Sequence, residues 1–199
     1  QPLTAYGNYV CYSFYPTKNL GAIGDAGAVT TDDPEVADRV RRLRQYGWRE
    51  RTDAEIKGYS ARLDELQAAL LLVRLNAFEA TSRRRVAIAE KYLAGLNDLA
   101  KLKLPQVRAQ TEPVWHQFVV AHPKRDQLAE FMNAAGVGTS VQYVPPHLHS
   151  SFLADGWQLG DFPVAEHHAR TALSLPCYPE LSDDQVDRVT AAIREFCTT

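Results

Sequence analysis

Apolar and polar positions recur along the chain with two different periods, and each period predicts one kind of element. Between Cys11 and Thr31, two aromatic or β-branched runs flank a loop with three glycines, a pattern typical of two strands joined by a turn. A spacing of three and four residues then predicts a helix at about 34–45 and one long helical region at 62–97, either continuous or broken once. The longer helix is expected to bury a stripe of apolar side chains, namely Leu63, Leu66, Leu70, Val73 and Ala77.

Local signals sharpen the start of the first helix and separate it from the second. Asp33 precedes Pro34 and Glu35, and a carboxylate cap, a proline in the first turn and an early acid all favour a helix start. The polar stretch 49–58 is expected to be a loop between the two helices.

Beyond residue 99 the pattern changes to a mixture of strands and helices. Alternating positions predict strands at 114–120 and 137–143. Between them, a helix at 126–135 should end at Gly136. A last helix at 183–197 should bury Val186, Val189, Ile193 and Phe196. This order of elements predicts a small α+β domain at 99–199.

Composition limits the range of partners and compartments. The chain has 199 residues with 22 basic and 24 acidic side chains, giving a formal net charge of -2, so no strong field favours nucleic acid or an anionic membrane. The opening residues lack the features of a signal peptide, and no apolar run is long enough to span a bilayer. Three cysteines without CxxC spacing point to a reducing cytoplasm. The six histidines match no zinc spacing, and we expect no metal.

The predicted strand, loop and strand near the start contain the one lysine whose surroundings suggest chemistry. Lys18 lies in the glycine-containing loop, and Ser13 leads into that loop. Glycine amides can form a concave nest for a phosphate. An amine that is enclosed there loses hydration and gives up its proton more easily, which is what a lysine needs in order to attack a carbonyl.

Four sequence blocks in order carry a resemblance to a known family. The first block runs from Ser13 to Val29, and three others follow at 58–69, 160–166 and 173–181; they contain SFYPTKNLG, GYSARLDELQAA, GDFPVAE and LSLPCYPEL. Together they resemble the DegT/StrS family of nucleotide-sugar aminotransferases, within the fold-type I pyridoxal-phosphate enzymes. The resemblance covers residues 11–196.

The resemblance implies a fold and a cofactor site. The fold class would be α/β: the C-terminal part of a fold-type I pyridoxal-phosphate-dependent large domain, followed by the small α+β domain. The large-domain remainder, with its long connecting helix, would occupy residues 1–98. Lys18 would form the covalent link to pyridoxal 5'-phosphate, and Ser13 would hold the cofactor phosphate.

Other candidate site residues follow from the same resemblance. The family has Asn-Ser-Arg where this chain has Ser60-Ala61-Arg62, so Ser60 would contact the phosphate bound in a partner subunit, directly or through water. Arg62 would bind an anionic part of the substrate, or it would form a structural ion pair with a neighbouring acid. His147 or His149 would border the sugar site, in a segment that resembles the family's Tyr-Pro-x-Pro-Leu-His.

The function implied is transfer of an amino group from an amino acid, glutamate above all, to a keto-sugar attached to a nucleotide. The protein would be a homodimer. In the family the lysine segment falls near the middle of the chain, so this sequence is expected to be the C-terminal portion of a longer enzyme, with natural truncation as the alternative. The rival function is a non-catalytic remnant that serves as a dimerisation or binding module. No GxSxG, Walker loop or GxGxxG occurs, which argues against serine hydrolases, P-loop NTPases and Rossmann dehydrogenases.

Overall fold

The computed structural model describes residues 7–198. The expectation about the opening segment falls largely on residues 1–6 and lies outside the described part. The chain divides into two compact units, the first ending at Glu79 and the second beginning at Ala80. The domain division predicted after residue 98 stays a prediction.

The first unit begins with the predicted pair of strands. Strand β1 (Tyr9–Ser13) pairs antiparallel with β2 (Gly27–Thr31), and Ser13 stands opposite Gly27. Helix α1 (Pro34–Leu43) follows, and the side chain of Asp33 accepts hydrogen bonds from the amides of Glu35 and Val36 at 2.8 and 3.2 Å. The predicted helix and its cap are therefore confirmed.

The stretch that was expected to be a loop contains a short hairpin. Strands β3 (Trp48–Glu50) and β4 (Asp53–Ala54) pair antiparallel with a register shift. Its base needs glycine, because a Cβ on Gly47, which has a φ of +82°, would lie 1.6 Å from the carbonyl oxygen of Ile56.

Helix α2 (Glu65–Leu96) runs unbroken for 32 residues, but the face it buries in its first half differs from the prediction. Leu66 and Val73 are each 68% exposed. The residue that is buried there is Leu71, which lies on the helix face next to the predicted one. The apolar stripe was therefore wrong for this half of the helix.

The second unit contains the hydrophobic core. Its elements after α2 are β5 (Phe118–Ala121), α3 (Arg125–Ala134), a 3₁₀ turn (Pro146–Leu148), α4 (Ser150–Leu153), α5 (Pro163–Thr171), β6 (Ala172–Leu175) and α6 (Asp183–Thr198). Strands β5 and β6 pair antiparallel. Buried side chains of α2, α3, β5, β6 and α6 form one cluster, in which Tyr92 and Phe118 are fully buried with ring centroids 5.0 Å apart.

The two predicted helices of this unit are confirmed, the first predicted strand is confirmed only over its last residues, and the second predicted strand is wrong. Gly136 follows α3 with a φ of +74°, and Val186, Val189 and Ile193 of α6 are buried. The predicted strand at 114–120 begins only at Phe118, because Trp115 has a φ of +44°. The stretch 137–143 keeps a single bridge, from Ser140 to Ser174 of β6. In the part of the chain described, no helix is both long and apolar enough to cross a membrane.

Candidate functional site

Lys18 lies in a tightly folded loop between β1 and β2. Its side chain is half-buried, and its amide donates to the carbonyl of Tyr15 at 2.8 Å. The loop is closed by two further backbone bonds of 2.8 Å, from Phe14 to the carbonyl of Ala26 and from Ala22 to the carbonyl of Phe14. The loop therefore presents Lys18 from a defined backbone conformation.

A polar face of α2 holds this loop. The amide of Ile23 donates to the side-chain oxygen of Gln67 at 3.0 Å, and the guanidinium of Arg74 donates to the carbonyl of Gly21 at 2.5 Å. Gln67, Leu71 and Arg74 recur at intervals of four and three, so they lie on one side of the helix. This face of α2, on which buried Leu71 lies between two hydrogen-bonding residues, therefore holds the Lys18 loop in place.

Ser13 ends β1 at the mouth of the same loop. Its side chain is exposed, and its hydroxyl accepts a long hydrogen bond of 3.4 Å from the amide of Tyr15. Because a serine hydroxyl has one donor hydrogen and two lone pairs, this single weak bond leaves it free to contact a ligand. Ser13 and Lys18 thus belong to one strand-and-loop segment, as the sequence predicts.

A second feature of the first unit is a groove of about 760 Å³ rich in arginine. Its wall includes the rings of Tyr46 and Trp48, which are tilted against each other with centroids 4.9 Å apart. Two of its arginines are neutralised: Arg42 pairs with Asp38 and Glu55, and Arg49 pairs with the same two acids. Four others have no ion-pair partner among residues 7–198, namely Arg41, Arg44, Arg51 and Arg62.

Ser60 and Arg62 are associated with this arginine groove. Arg62 is exposed and lines it, without an ion pair to Asp64 or Glu65. The hydroxyl of Ser60 lies 3.1 Å from that of Tyr46, a residue of the groove wall. A neighbouring groove of about 820 Å³ runs beside β2 and α1, and Arg41 and Arg44 line both. Positive charge therefore extends from α1 along both grooves.

In the second unit, His147 and His149 have different environments. His147 is buried, with Nε2 3.0 Å from Oε1 of Glu166 and its ring 4.8 Å from that of Phe162. His149 is exposed, and its Nε2 lies 3.1 Å from the carbonyl oxygen of Val144. Of the two alternatives, His149 is the one that is open to solvent.

Glu166 joins two loops of the second unit. Burial works against its charged form, but hydrogen bonds from the amide of Gly160, from His147 and from the amide of Phe162 outweigh that effect, and they hold the pKa of the Glu166 carboxyl below its ordinary value. All three donors bind the same oxygen, at 2.8, 3.0 and 3.3 Å. Glu166 therefore ties the proline-rich turn to the segment before α5.

The structure thus places Ser13 and Lys18 on one strand-and-loop segment, and Ser60 and Arg62 beside the arginine groove, within the first unit, whereas both histidines belong to the second. Sequence reasoning missed the contacts of Gln67, Arg74 and Glu166. All three residues lie inside the four sequence blocks or just after one of them. Hydrophobic periodicity, however, indicates only which face of an element is apolar. It gives no information on these polar side chains, whose hydrogen-bond partners are distant in the sequence. Among the described residues, no group of three histidine, cysteine or acidic side chains is placed to hold a metal.

The donor set around Lys18 suits part of a pyridoxal-phosphate site. A half-buried amine is a group that can bond to an aldehyde, and a hydroxyl at the end of β1 is a group that can bind a phosphate oxygen. Backbone crowding gives the segment a fixed shape, because a Cβ on Gly21 would lie 2.5 Å from the carbonyl oxygen of Pro16. These residues fit the aldehyde and one phosphate oxygen.

Comparison with known sequences identifies the family of this chain. The sequence model of the DegT/DnrJ/EryC1/StrS aminotransferase family matches residues 1–194. A transaminase of Streptomyces venezuelae, named dTDP-3-amino-3,4,6-trideoxy-alpha-D-glucose transaminase, is 45% identical over 193 residues, which are 96% of this chain and 51% of that protein. The erythromycin biosynthesis sensory transduction protein EryC1 of Saccharopolyspora erythraea is 42% identical over 191 residues, or 96% of this chain and 52% of that protein.

Solved structures give the same result. The crystal structure of S. venezuelae DesV in complex with a ketimine intermediate has a TM-score of 0.94 and 44% identity, and the match covers 97% of this chain and 53% of that one. A family aminotransferase from Brucella abortus has a TM-score of 0.89 and 34% identity, covering 97% and 52%. The predicted fold class is confirmed by these matches. The chain spans about half the length of these relatives, and it belongs to the DegT/DnrJ/EryC1/StrS aminotransferase family.

Proposed function

We propose that this chain is part of a pyridoxal-phosphate-dependent aminotransferase that moves an amino group from an amino acid, glutamate in the first instance, to a keto-sugar linked to a nucleotide. The observation that carries the proposal is the position of Lys18. It is half-buried in a loop that Gln67 and Arg74 tie to α2. Family membership and the transaminase names of relatives support it.

Lys18 has two tasks in this reaction. Its amine holds the cofactor in the resting enzyme, and after the donor amino acid has displaced it, the same amine moves a proton as general base and then as general acid. Pyridoxal phosphate, when bound, supplies the electron sink that makes this proton removable. Ser13 contributes a hydroxyl to the phosphate. The hydrogen bonds of Gln67 and Arg74 keep the backbone of the Lys18 loop in place during both transfers.

The arginine groove supports a substrate that carries phosphates. A guanidinium group can donate two parallel hydrogen bonds to the oxygens of one phosphate. Four arginines of the groove have no acidic partner among the described residues, namely Arg41, Arg44, Arg51 and Arg62. Tyr46 and Trp48 add aromatic surface of the kind on which a base or sugar stacks. In this proposal Arg62 and Ser60 act on the anionic part of the substrate or cofactor, and His149 is the histidine available to the sugar.

The assembly and compartment are also proposals. A homodimer is supported by the exposure of large apolar side chains on the first half of α2, which include Leu66, Leu72, Val73 and Leu75, because such a surface normally packs against another. The cytoplasm is supported by three free cysteines, of which Cys11 is exposed.

Borohydride trapping tests the role of Lys18. The purified chain is incubated with pyridoxal phosphate, reduced, digested and analysed by mass spectrometry. We expect the reduced adduct on Lys18 and its loss at that position in Lys18→Arg, whereas Lys57→Arg, which changes an exposed lysine, should leave it intact. Absence of the adduct from Lys18, or an unchanged total label in Lys18→Arg, would refute the catalytic assignment.

The same experiment addresses the non-catalytic alternative. Two relatives are named for regulation rather than catalysis, EryC1 and the pleiotropic regulatory protein of Geobacillus stearothermophilus, which is 38% identical over 193 residues. A binding module has no need of a lysine that reacts selectively. Labelling spread over exposed lysines in proportion to their exposure would therefore favour the module.

A further inference from the structure

A cavity in the second unit is lined by residues outside the Lys18 loop and the arginine groove. It has a volume of about 640 Å³ and lies between the start of α3 and the end of α6, with Lys101 and His122 on its wall. A second hollow of about 340 Å³ shares both residues. Pockets that hold small organic molecules commonly fall between about 300 and 1,000 Å³, so the larger cavity has room for a ligand.

His122 provides a buried donor at this cavity. Its side chain is only 3% exposed, and its ring is held edge-on against Phe196, with centroids 5.4 Å apart. Nδ1 accepts a hydrogen bond of 3.1 Å from the amide of Lys124. In the neutral ring Nε2 therefore carries the hydrogen. No described residue accepts from Nε2, so this donor is available to an occupant of the cavity.

The charge around His122 favours an anion. Lys101 and Lys124 line the cavity, and neither forms an ion pair with a described residue. Burial lowers the pKa of His122, the backbone hydrogen bond from Lys124 partly offsets that effect, and the charges of Lys101 and Lys124 lower the pKa further, which favours the neutral ring with its donor on Nε2. The first turn of α3 adds partial positive charge, because Lys124 at its N-cap makes no side-chain capping bond.

The remaining walls of the cavity favour an anion that also carries an apolar group. Phe131 and Phe196 line the cavity, with ring centroids 5.6 Å apart, and aromatic rings pack well against a flat ligand. We propose that this cavity binds a small organic anion with a flat apolar body, such as an arylacetate. The carboxylate contacts His122, Lys101 and Lys124, and the body packs against the two phenylalanines.

Phenylacetate is a suitable probe for this cavity. Two matched compounds serve as comparisons, and each lacks either the charge or the aromatic ring of phenylacetate. Phenylacetamide has the ring without the charge, and acetate has the charge without the ring. In ¹H–¹⁵N spectra of the purified chain, we expect phenylacetate to give saturable shifts at His122 and at the first turn of α3. Both comparison compounds should bind about tenfold more weakly or worse, and added salt should weaken phenylacetate binding.

Variants identify the contacts. Lys101→Met and Lys124→Met should each weaken phenylacetate binding several-fold, whereas Lys91→Met, which changes a lysine paired with Asp183 away from the cavity, should not. His122→Phe removes both the acceptor for the Lys124 amide and the N–H donor, whereas glutamine carries an amide oxygen and an N–H donor, so binding should survive better in His122→Gln.

Two results would overturn the proposal: phenylacetamide binding as tightly as phenylacetate, or normal phenylacetate binding in both lysine variants. The lysine variants change exposed charges, so they keep the test decisive even if His122→Phe fails to fold.

Discussion

The attachment of the Lys18 loop to α2 gives a prediction that separates positioning from chemistry. Gln67 accepts from the amide of Ile23, and Arg74 donates to the carbonyl of Gly21, a buried glycine. Replacing Gln67 with alanine and Arg74 with methionine removes both bonds and leaves Lys18 itself unchanged. The loop should then open more often without loss of the fold.

The magnitude follows from the two bonds. A neutral hydrogen bond contributes about 1 kcal/mol, and one that involves a charged group contributes about 1.5–3 kcal/mol. Arg74 is an exposed residue, so the lower figure applies to it. The double variant should therefore lose about 2.5 kcal/mol of local stability, which corresponds to roughly fifty- to hundredfold more frequent opening of the loop.

Hydrogen–deuterium exchange measures this opening directly. The reporters are the amides of Lys18 and Ala22, whose acceptors, the carbonyls of Tyr15 and Phe14, are untouched by the substitutions. We expect both amides to exchange roughly fifty- to hundredfold faster in the double variant. The yield of borohydride trapping at Lys18 should fall. Arg39→Met, a change at an exposed arginine of α1, is the control and should leave both rates unchanged.

The reasoning fails if the amides of Lys18 and Ala22 exchange at the wild-type rate in the double variant. Such a result would mean that the turn is held by its own backbone bonds, and that α2 contributes nothing to the placement of the lysine.

Three further predictions follow from packing and charge. Phe118→Ala should lower the free energy of unfolding, measured with denaturant, by about 3–5 kcal/mol, because this fully buried ring packs against two aromatic neighbours. Val119→Ala, at a half-buried site, is the control. Equal losses of unfolding free energy in the two variants would contradict the assignment of Phe118 to the core. Hydrogen bonds from Arg194 lower the pKa of Asp98 from 3.8 to about 2, so the stability that this pair adds is present above about pH 4 and disappears as the pH falls towards 2. In Asp98→Asn the loss of stability in acid should be smaller than in the wild type. Identical acid unfolding curves for the two proteins would exclude a contribution of this ion pair to stability. Leu66 and Val73 are 68% exposed, so the chain should self-associate in light scattering, and replacing both with glutamine should reduce the mass; a monodisperse wild-type monomer is the contrary outcome.

Sequence patterns predicted the elements whose determinants are close together in the chain. The cap of α1 needs only Asp33 and the two amides that follow it, and the buried face of α6 needs only the spacing of Val186, Val189 and Ile193. The Lys18 loop is likewise defined by consecutive residues, which is why its motif was recognisable before its contacts were known.

The failures involve partners that are far apart in the sequence. Leu66 and Val73 have the spacing of a core stripe, but the face of α2 that packs within the first unit carries Gln67 and Arg74, because their partners lie in a loop more than 40 residues earlier. β6 was missed because its partner strand, β5, lies some 50 residues away. Glu166 stands in a quoted motif, yet its bond to His147 spans 19 residues, and no periodicity reports it.

The uneven distribution of buried side chains has a practical consequence for studies of this chain. The cluster of buried side chains lies wholly in the second unit, whereas Ala22 and Leu71 are the buried apolar side chains among residues 7–79. Heat-capacity and cooperativity signals scale with the apolar surface that unfolding exposes. A calorimetric melting curve will therefore report on the half that contains Phe118 and will be nearly silent about the half that contains Lys18, so a high melting temperature is no sign that Lys18 is correctly placed.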